Sequence, residues 1–184
     1  MARNSNWQSA GEFFQQTLPE HLSAWMQHPR LTQSIEAKFD HQIQLLQQNF
    51  SQLEPEESQL LNASPGSRCW LREICHQGDS KRLVYARTVV PEITYERFSN
   101  EFNALGERSI GEMLLFKDPN IQRSELKYCL INAKHPLYAR CVEILDKAPH
   151  YYARQSTFHW QEYPLLIIEV YSPDNTRWQP GRRT

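Results

Sequence analysis

Two stretches near the middle of the chain alternate in the way strands do. Residues 68–76 and 82–90 are separated by Gln77-Gly78-Asp79-Ser80-Lys81, a pattern that predicts a β-hairpin. Pro91 ends the second strand, because proline has no N–H to donate to the ladder. A second pair follows near the C-terminal end, where residues 154–160 and 164–172 flank a turn at Gln161-Glu162. Residues 42–50 place Ile43 and Leu45 on one face of a further strand, and residues 125–131 predict another.

Elsewhere the spacing of apolar residues lengthens to the helical period. Leu22, Trp25 and Met26 fall at i, i+3 and i+4 between Pro19 and Pro29. Leu31, Ile35 and Phe39 continue at one-turn intervals, with Thr32 as the predicted N-cap. Phe98, Phe102 and Leu105 mark a helix closed by Gly106. Ser109-Ile110-Gly111-Glu112 has the form of a capping box and opens a short helix through Phe116. Pro136 suits the first position of a helix carrying Leu137, Cys141, Ile144 and Leu145. Residues 53–65 read as a loop, since Pro55, Glu56, Glu57 and Pro65 oppose regular structure. Residues 1–8 and 175–184 read as mobile ends. Hairpins without long crossovers predict an α+β fold, a single domain over residues 1–184 with an antiparallel sheet covered by helices.

Composition narrows the class. A chain of 184 residues with 40% hydrophobic residues can bury one sizeable core. Its formal net charge of −1 supplies no field to attract nucleic acid. The polar start has no apolar stretch behind it, and the apolar run at residues 165–170 is short and broken by Glu169. Neither a signal peptide nor stable membrane insertion is expected, and a cytoplasmic monomer is. Cys69, Cys75, Cys129 and Cys141 lack CxxC spacing and are expected to pack as small apolar side chains. The 7 histidines are scattered, so no metal site is expected.

Three charged residues stand where apolar ones are expected. Arg72 alternates with Trp70 and Ile74, which turns a cation toward an apolar face. It needs an anion there, from a neighbouring carboxylate or from a ligand. If the turn is centred on Gly78-Asp79, Arg72 faces Tyr85 and Arg87 faces Trp70, so that both arginines share one face. A one-residue change of register would separate them. Two guanidinium groups on one face suit a ligand with two carboxylates, which arginine grips bidentately. Glu169 interrupts Leu165-Leu166-Ile167-Ile168-Glu169-Val170, so it is either paired with an arginine or a poised acid, base or hydroxyl acceptor.

Arg68-Cys69-Trp70-Leu71-Arg72-Glu73-Ile74, then Ala86-Arg87-Thr88-Val89-Val90-Pro91, resembles the central signature of the chorismate pyruvate-lyases. Leu105-Gly106, Ile110-Gly111 and Leu115-Phe116 resemble that family's next block. Tyr152-Ala153-Arg154-Gln155-Ser156 and the run from Pro164 to Pro173 resemble its last. The resemblance implies an antiparallel sheet with helices and an enclosed ligand cavity. It implies a lyase that splits chorismate into 4-hydroxybenzoate and pyruvate without a cofactor, the first committed step toward ubiquinone. Arg72 would hold the ring carboxylate with help from the backbone at Ile110. Glu169 would sit beside the ring hydroxyl, Leu31 would contribute from a covering flap, and Arg87 is the candidate for the second carboxylate. Glu169 and Arg72 would be the catalytic pair. The chain departs from the family at Ile110, commonly leucine, at Gln155, where a second arginine is expected, and in a longer stretch over residues 135–150. The rival is a small-molecule effector-binding domain of the same fold, as in certain bacterial repressors. Residues 1–40 are too short and too little basic to hold the helix-turn-helix such repressors carry.

Overall fold

The structure, a computed structural model, describes residues 7–15 and 18–179. Its antiparallel sheet comprises β1 (His41–Gln52), β2 (Arg68–Gly78), β3 (Lys81–Pro91), β4 (Ile121–Arg123), β5 (Lys127–Asn132), β6 (His150–Trp160) and β7 (Tyr163–Tyr171). The strands lie in the order β1-β2-β3-β7-β6, and β4 and β5 share the outer edge of β6. The helices are α1 (Ala10–Phe13), α2 (Glu20–Gln27), α3 (Leu31–Glu36), α4 (Pro55–Leu60), α5 (Glu92–Arg97), α6 (Ser99–Asn103) and α7 (Tyr138–Leu145). A π-helical turn at Gly111–Leu115 and a 3-10 turn at Asn175–Trp178 complete the elements. This is the α+β class that the pattern predicts, with both hairpins in place.

Alternation gives the sheet two faces. The back face packs Leu71, Cys75, Tyr85, Val89, Leu166 and Ile168 against Cys141, Ile144 and Leu145 of α7. The front face is covered in two patches. Leu22, Trp25, Met26, Leu31 and Ile35 of α2 and α3 cover Tyr152, Tyr171 and Trp178 at one end. Phe98, Phe102, Leu105, Ile110 and Leu115 cover Trp70, Val90 and Phe158 at the other. Polar residues of the front face lie where these two apolar patches meet.

Four local expectations fail, each for a physical reason. Residues 53–65 are not all loop. Pro55 occupies the first turn of α4, where its missing N–H costs nothing, and Glu57 accepts from the Glu54 N–H at 3.0 Å. Thr32 is not an N-cap. It lies inside α3, and its hydroxyl is bonded elsewhere. The stretch 175–179 is anchored, because Trp178 is buried against Trp25 and its indole N–H donates to the Ser172 carbonyl at 2.9 Å. Gln8 pairs with Tyr128, so the start of the described chain is also held. Residues 1–6 and 180–184 lie outside the described residues.

The fourth failure matters most. The β2–β3 turn is centred on Asp79 and Ser80, both at positive φ, and pairs Gly78 with Lys81. Beyond it His76 pairs with Val84 and Gln77 with Arg82, which leaves Leu83 as an extra residue in β3. Moving the turn by one position shifts the register by two and preserves the faces. The bulge adds one more residue and inverts them. Arg72 therefore pairs with Thr88, while Arg87 pairs with Glu73 on the back face.

Candidate active site

Arg87 is a structural cation, which corrects its expected place beside Arg72. On the back face its Nε donates to Glu57 at 2.8 Å and its Nη1 to Glu73 at 3.1 Å. Tyr85 also donates to Glu73 at 2.5 Å, and Arg140 donates to the same carboxylate at 2.9 Å through Nε. Burial pulls the Arg87 pKa down, but Glu57 and Glu73 outweigh that and raise it. No charge in this cluster is left for a ligand to satisfy.

Arg72 is the opposite case. It is completely buried, and Nη2 alone donates, to the Gly106 carbonyl at 2.8 Å and the Arg108 carbonyl at 2.9 Å. Nε and Nη1 have no hydrogen-bond partner among the described residues, and burial pushes the pKa down to about 10. Two charge-assisted bonds return roughly 3–6 kcal/mol, at about 1.5–3 each. Desolvating the cation costs several kcal/mol, and because Nε and Nη1 stay unpartnered the site favours an incoming anion. The 106–108 loop holds the guanidinium in place because Gly106 takes a positive φ of 54° that turns the chain there.

The cavity of the front face has a volume of about 40 Å³. Its wall includes Leu31, Ile74, His76, Ala86, Thr88, Ile110, Arg123, Phe158, Ile167 and Glu169. Leu31, Ile110 and Glu169 all lie on this wall. Arg72 shares their face, two residues along β2 from Ile74, but its side chain turns to the 106–108 loop and is not on the wall.

Glu169 is paired, so of the two alternatives open for it the ion pair is present. Arg154 lies directly opposite in β6, and its Nε donates to Oε2 of Glu169. Burial raises the Glu169 pKa, but the adjacent Arg154 guanidinium outweighs it, with help from Arg123, and the carboxyl stays below its ordinary value. The side chain nevertheless keeps 13% of its surface open. Arg154 is also a strut. Its Nη1 donates to the Met26 carbonyl at 2.8 Å and the His28 carbonyl at 2.6 Å, which ties the end of α2 to the floor of the cavity.

Two covering segments close over this floor. The Thr32 hydroxyl of α3 donates to Ser109 at 2.9 Å, and Ser109 accepts from the Glu112 N–H at 3.4 Å. Ser109 thus receives the backbone of the π turn and serves as a clasp. Arg123 donates to the Pro29 carbonyl at 2.7 Å and to Ser156 at 2.9 Å, with its guanidinium over the Phe158 ring. Outside the clasp lies a cleft of about 490 Å³ that shares Thr32 and Ser109 with the cavity and is bordered by Glu36, His41 and Arg108. The pattern of the sequence points to neither Arg123 nor His76 as a site residue. Arg123 carries no local pattern that marks it, whereas His76 continues the Trp70, Arg72, Ile74 alternation.

The cysteines behave as expected. All four are free and buried, and burial raises the Cys75 and Cys141 thiols to about 12. No group of three or more metal-ligating side chains is present among the described residues. No helix of the described residues is long and apolar enough to cross a membrane.

Solved structures show what this fold is similar to. A GntR-family transcriptional regulator from Bacillus cereus superposes with a TM-score of 0.55 at 9% identity, covering 74% of this chain and 94% of that one. PhnF from Mycobacterium smegmatis gives 0.57 at 12% identity, covering 84% and 67%. At these identities the likeness concerns the fold alone. Sequence comparison goes further. A protein of Coxiella burnetii named a probable chorismate pyruvate-lyase is 37% identical over 153 residues, 82% of each chain. One of the same name from Thiobacillus denitrificans is 29% identical over 160 residues, 84% of each. The family model described as chorismate lyase matches residues 1–179, and the chain belongs to that family.

Proposed function

We infer that this chain splits chorismate into 4-hydroxybenzoate and pyruvate in the front-face cavity. The observation that carries the reading is Arg72, a buried cation with two nitrogens unpartnered beside a cavity floored by a carboxylate. The ring carboxylate satisfies Arg72. Arg123, the cation on the cavity wall, takes the enolpyruvyl carboxylate in place of Arg87. Leu31 and Ile110 press on the ring from the two covering segments, and the Ile110 backbone supports the carboxylate end. Glu169 and Arg154 lie at the hydroxyl end.

The reaction breaks the ether bond at one ring carbon and removes hydrogen from its neighbour, which keeps the hydroxyl. Aromatisation supplies the driving force, so the chemistry requires no cofactor. The protein's task is to hold the enolpyruvyl arm in a reactive pose and to favour charge on the departing oxygen. Glu169 serves either by polarising the hydroxyl during an intramolecular hydrogen shift or by acting as base. The cleft of about 420 Å³ on the back face is a poorer host for a dianion, because Glu54, Glu56 and Glu57 line it against a single Lys134.

A cavity of about 40 Å³ holds no more than a few waters, so substrate enters only when the Thr32–Ser109 clasp parts. The product keeps the carboxylate and hydroxyl that the site grips, and its release is the slow step. Purified protein mixed with chorismate in excess should release a burst of pyruvate, then a slower steady state, with 4-hydroxybenzoate inhibiting competitively. Binding of chorismate without turnover would instead favour a sensor domain, in keeping with the regulators that share the fold.

A further inference from the structure

The proposed function leaves one hydroxyl proton and two acceptors on the cavity wall. One of them is Glu169, whose Oε2 is already engaged by Arg154. The other is His76, buried on the cavity wall in the next front-facing position of β2 after Ile74.

A chain of hydrogen bonds reaches His76 from outside. Oε1 of Glu36 lies 3.3 Å from Nδ1 of His41, and Nε2 of His41 lies 3.0 Å from Nδ1 of His76. The two ring planes are within 16° of parallel with centroids 5.3 Å apart, a side-by-side pair whose facing nitrogens can share a proton in the plane. Each donor in this chain is fixed by the one before it. A carboxylate only accepts, so Nδ1 of His41 carries a proton. A neutral imidazole has one N–H, so Nε2 of His41 is a lone pair and accepts from Nδ1–H of His76. That leaves Nε2 of His76 as a bare imine nitrogen on a side chain that lines the cavity.

Both rings stay neutral near pH 7. Burial holds His41 below its ordinary value against the pull of Glu36 and Asp40. Burial, His41, Arg72 and Arg154 hold His76 at about 3, against Glu169.

Rung spacing places this nitrogen where a para substituent falls. Arg72 and His76 are four residues apart on β2, about 13 Å along the strand, and the Ile74–Ala86–Glu169 rung lies midway. A ring with its carboxylate toward the long Arg72 side chain lies over Ile74 and Ala86 and turns its hydroxyl to the His76 end. We propose that Nε2 of His76 accepts the hydrogen bond of the substrate's ring hydroxyl, and that His41 and Glu36 are positioning residues that fix its tautomer from the outer cleft. This rests on the chorismate reading, which it deepens by naming the acceptor. Glu169, its charge compensated by Arg154, then acts on the same oxygen through its field.

The test is a long-range proton–nitrogen spectrum of histidine-labelled protein, titrated with 4-hydroxybenzoate and assigned with His76→Leu. In the free protein the His76 signals should report a protonated Nδ1 and a bare Nε2. Saturating product should move Nε2 toward the hydrogen-bonded range. His76→Leu should weaken product binding about tenfold, as loss of one well-desolvated hydrogen bond does, and His76→Gln should restore most of it. Glu36→Ala leaves the cavity wall intact, yet should mix the two tautomers in the spectrum and weaken binding a few-fold. Lowering the pH until His41 takes a second proton reverses the chain and should have the same effect. An Nε2 signal that does not move at saturation, or a folded His76→Leu that binds like the wild type, overturns the proposal. Wild-type protein that binds no 4-hydroxybenzoate overturns the chorismate reading itself.

Discussion

The two faces of the sheet each bury an arginine, and they treat it differently. On the back face Arg87 meets Glu57 and Glu73 within 3.1 Å, while Tyr85 donates to the same Glu73 oxygen and Arg140 to the other. On the front face Arg72 meets two carbonyls and no carboxylate, and two of its nitrogens stay unpartnered. The same side chain in neighbouring strands therefore holds the fold together in one place and stores an unmet demand in the other. A buried charge is informative about function when the protein itself fails to satisfy it. Burial alone does not distinguish the two.

The sharpest way to break this comparison is to truncate each arginine. Arg87→Ala leaves two carboxylates buried against apolar strands and should cost about 3–5 kcal/mol of folding stability in denaturant titrations. Arg72→Ala removes a cation with no counter-ion at the cost of its two carbonyl bonds, and should lose clearly less stability than Arg87→Ala. It should instead cost roughly 2–5 kcal/mol of product binding by calorimetry. Equal stability losses in the two variants would show that Arg72 is structural as well.

Acid should separate the faces next. His76 falls from an ordinary 6.5 to about 3 on folding, because burial penalises its charged form. The unfolded chain therefore binds a proton first as the pH drops, and the folded state loses stability from about pH 6.5 downward. On the order of 3 kcal/mol should be lost by pH 4, at 1.36 kcal/mol per unit. His76→Gln should flatten that slope and Arg87→Ala should not, measured as unfolding midpoints against pH.

Glu169→Gln gives the smallest of the three effects in energy and bears most directly on chemistry. The amide keeps the shape and one acceptor while removing the base and the charge. The rate should fall on the order of a hundredfold in single-turnover mixing if Glu169 must be ionised. Product binding should change less, since His76 takes the hydroxyl. A variant with wild-type rate and affinity would confine Glu169 to holding Arg154 in place.

The two hairpins show how much of this was legible in the sequence. In the C-terminal hairpin the turn at Gln161-Glu162 pairs Trp160 with Tyr163, and regular pairing from there sets Arg154 opposite Glu169. Counting back from that turn is enough to find the ion pair. In the central hairpin the same counting fails, because Leu83 bulges and inverts every side chain beyond it. Nothing in Arg82-Leu83-Val84 marks a bulge, since all three residues suit a regular strand. The bulge lets Leu83 join Val84 in the front-face cluster beside Phe39, a gain available only once α3 has docked. Pro55 was similarly ambiguous. As a breaker it predicted a loop, and as a first-turn residue it opens α4, which delivers Glu57 to Arg87.

By itself the sequence determined the antiparallel strands, the helical covers, the family blocks and the charged outliers Arg72 and Glu169, all of which are periodic or local signals. Tertiary structure decided which arginine was free. That choice depends on the parity of a register set by one bulged residue and on a carboxylate arriving from α4. It also assembled the Glu36–His41–His76 chain from residues up to 40 positions apart, and brought Arg123 to the cavity wall. Such pairings cost chain entropy until the apolar patches of the two faces close around them, so no segment holds them alone.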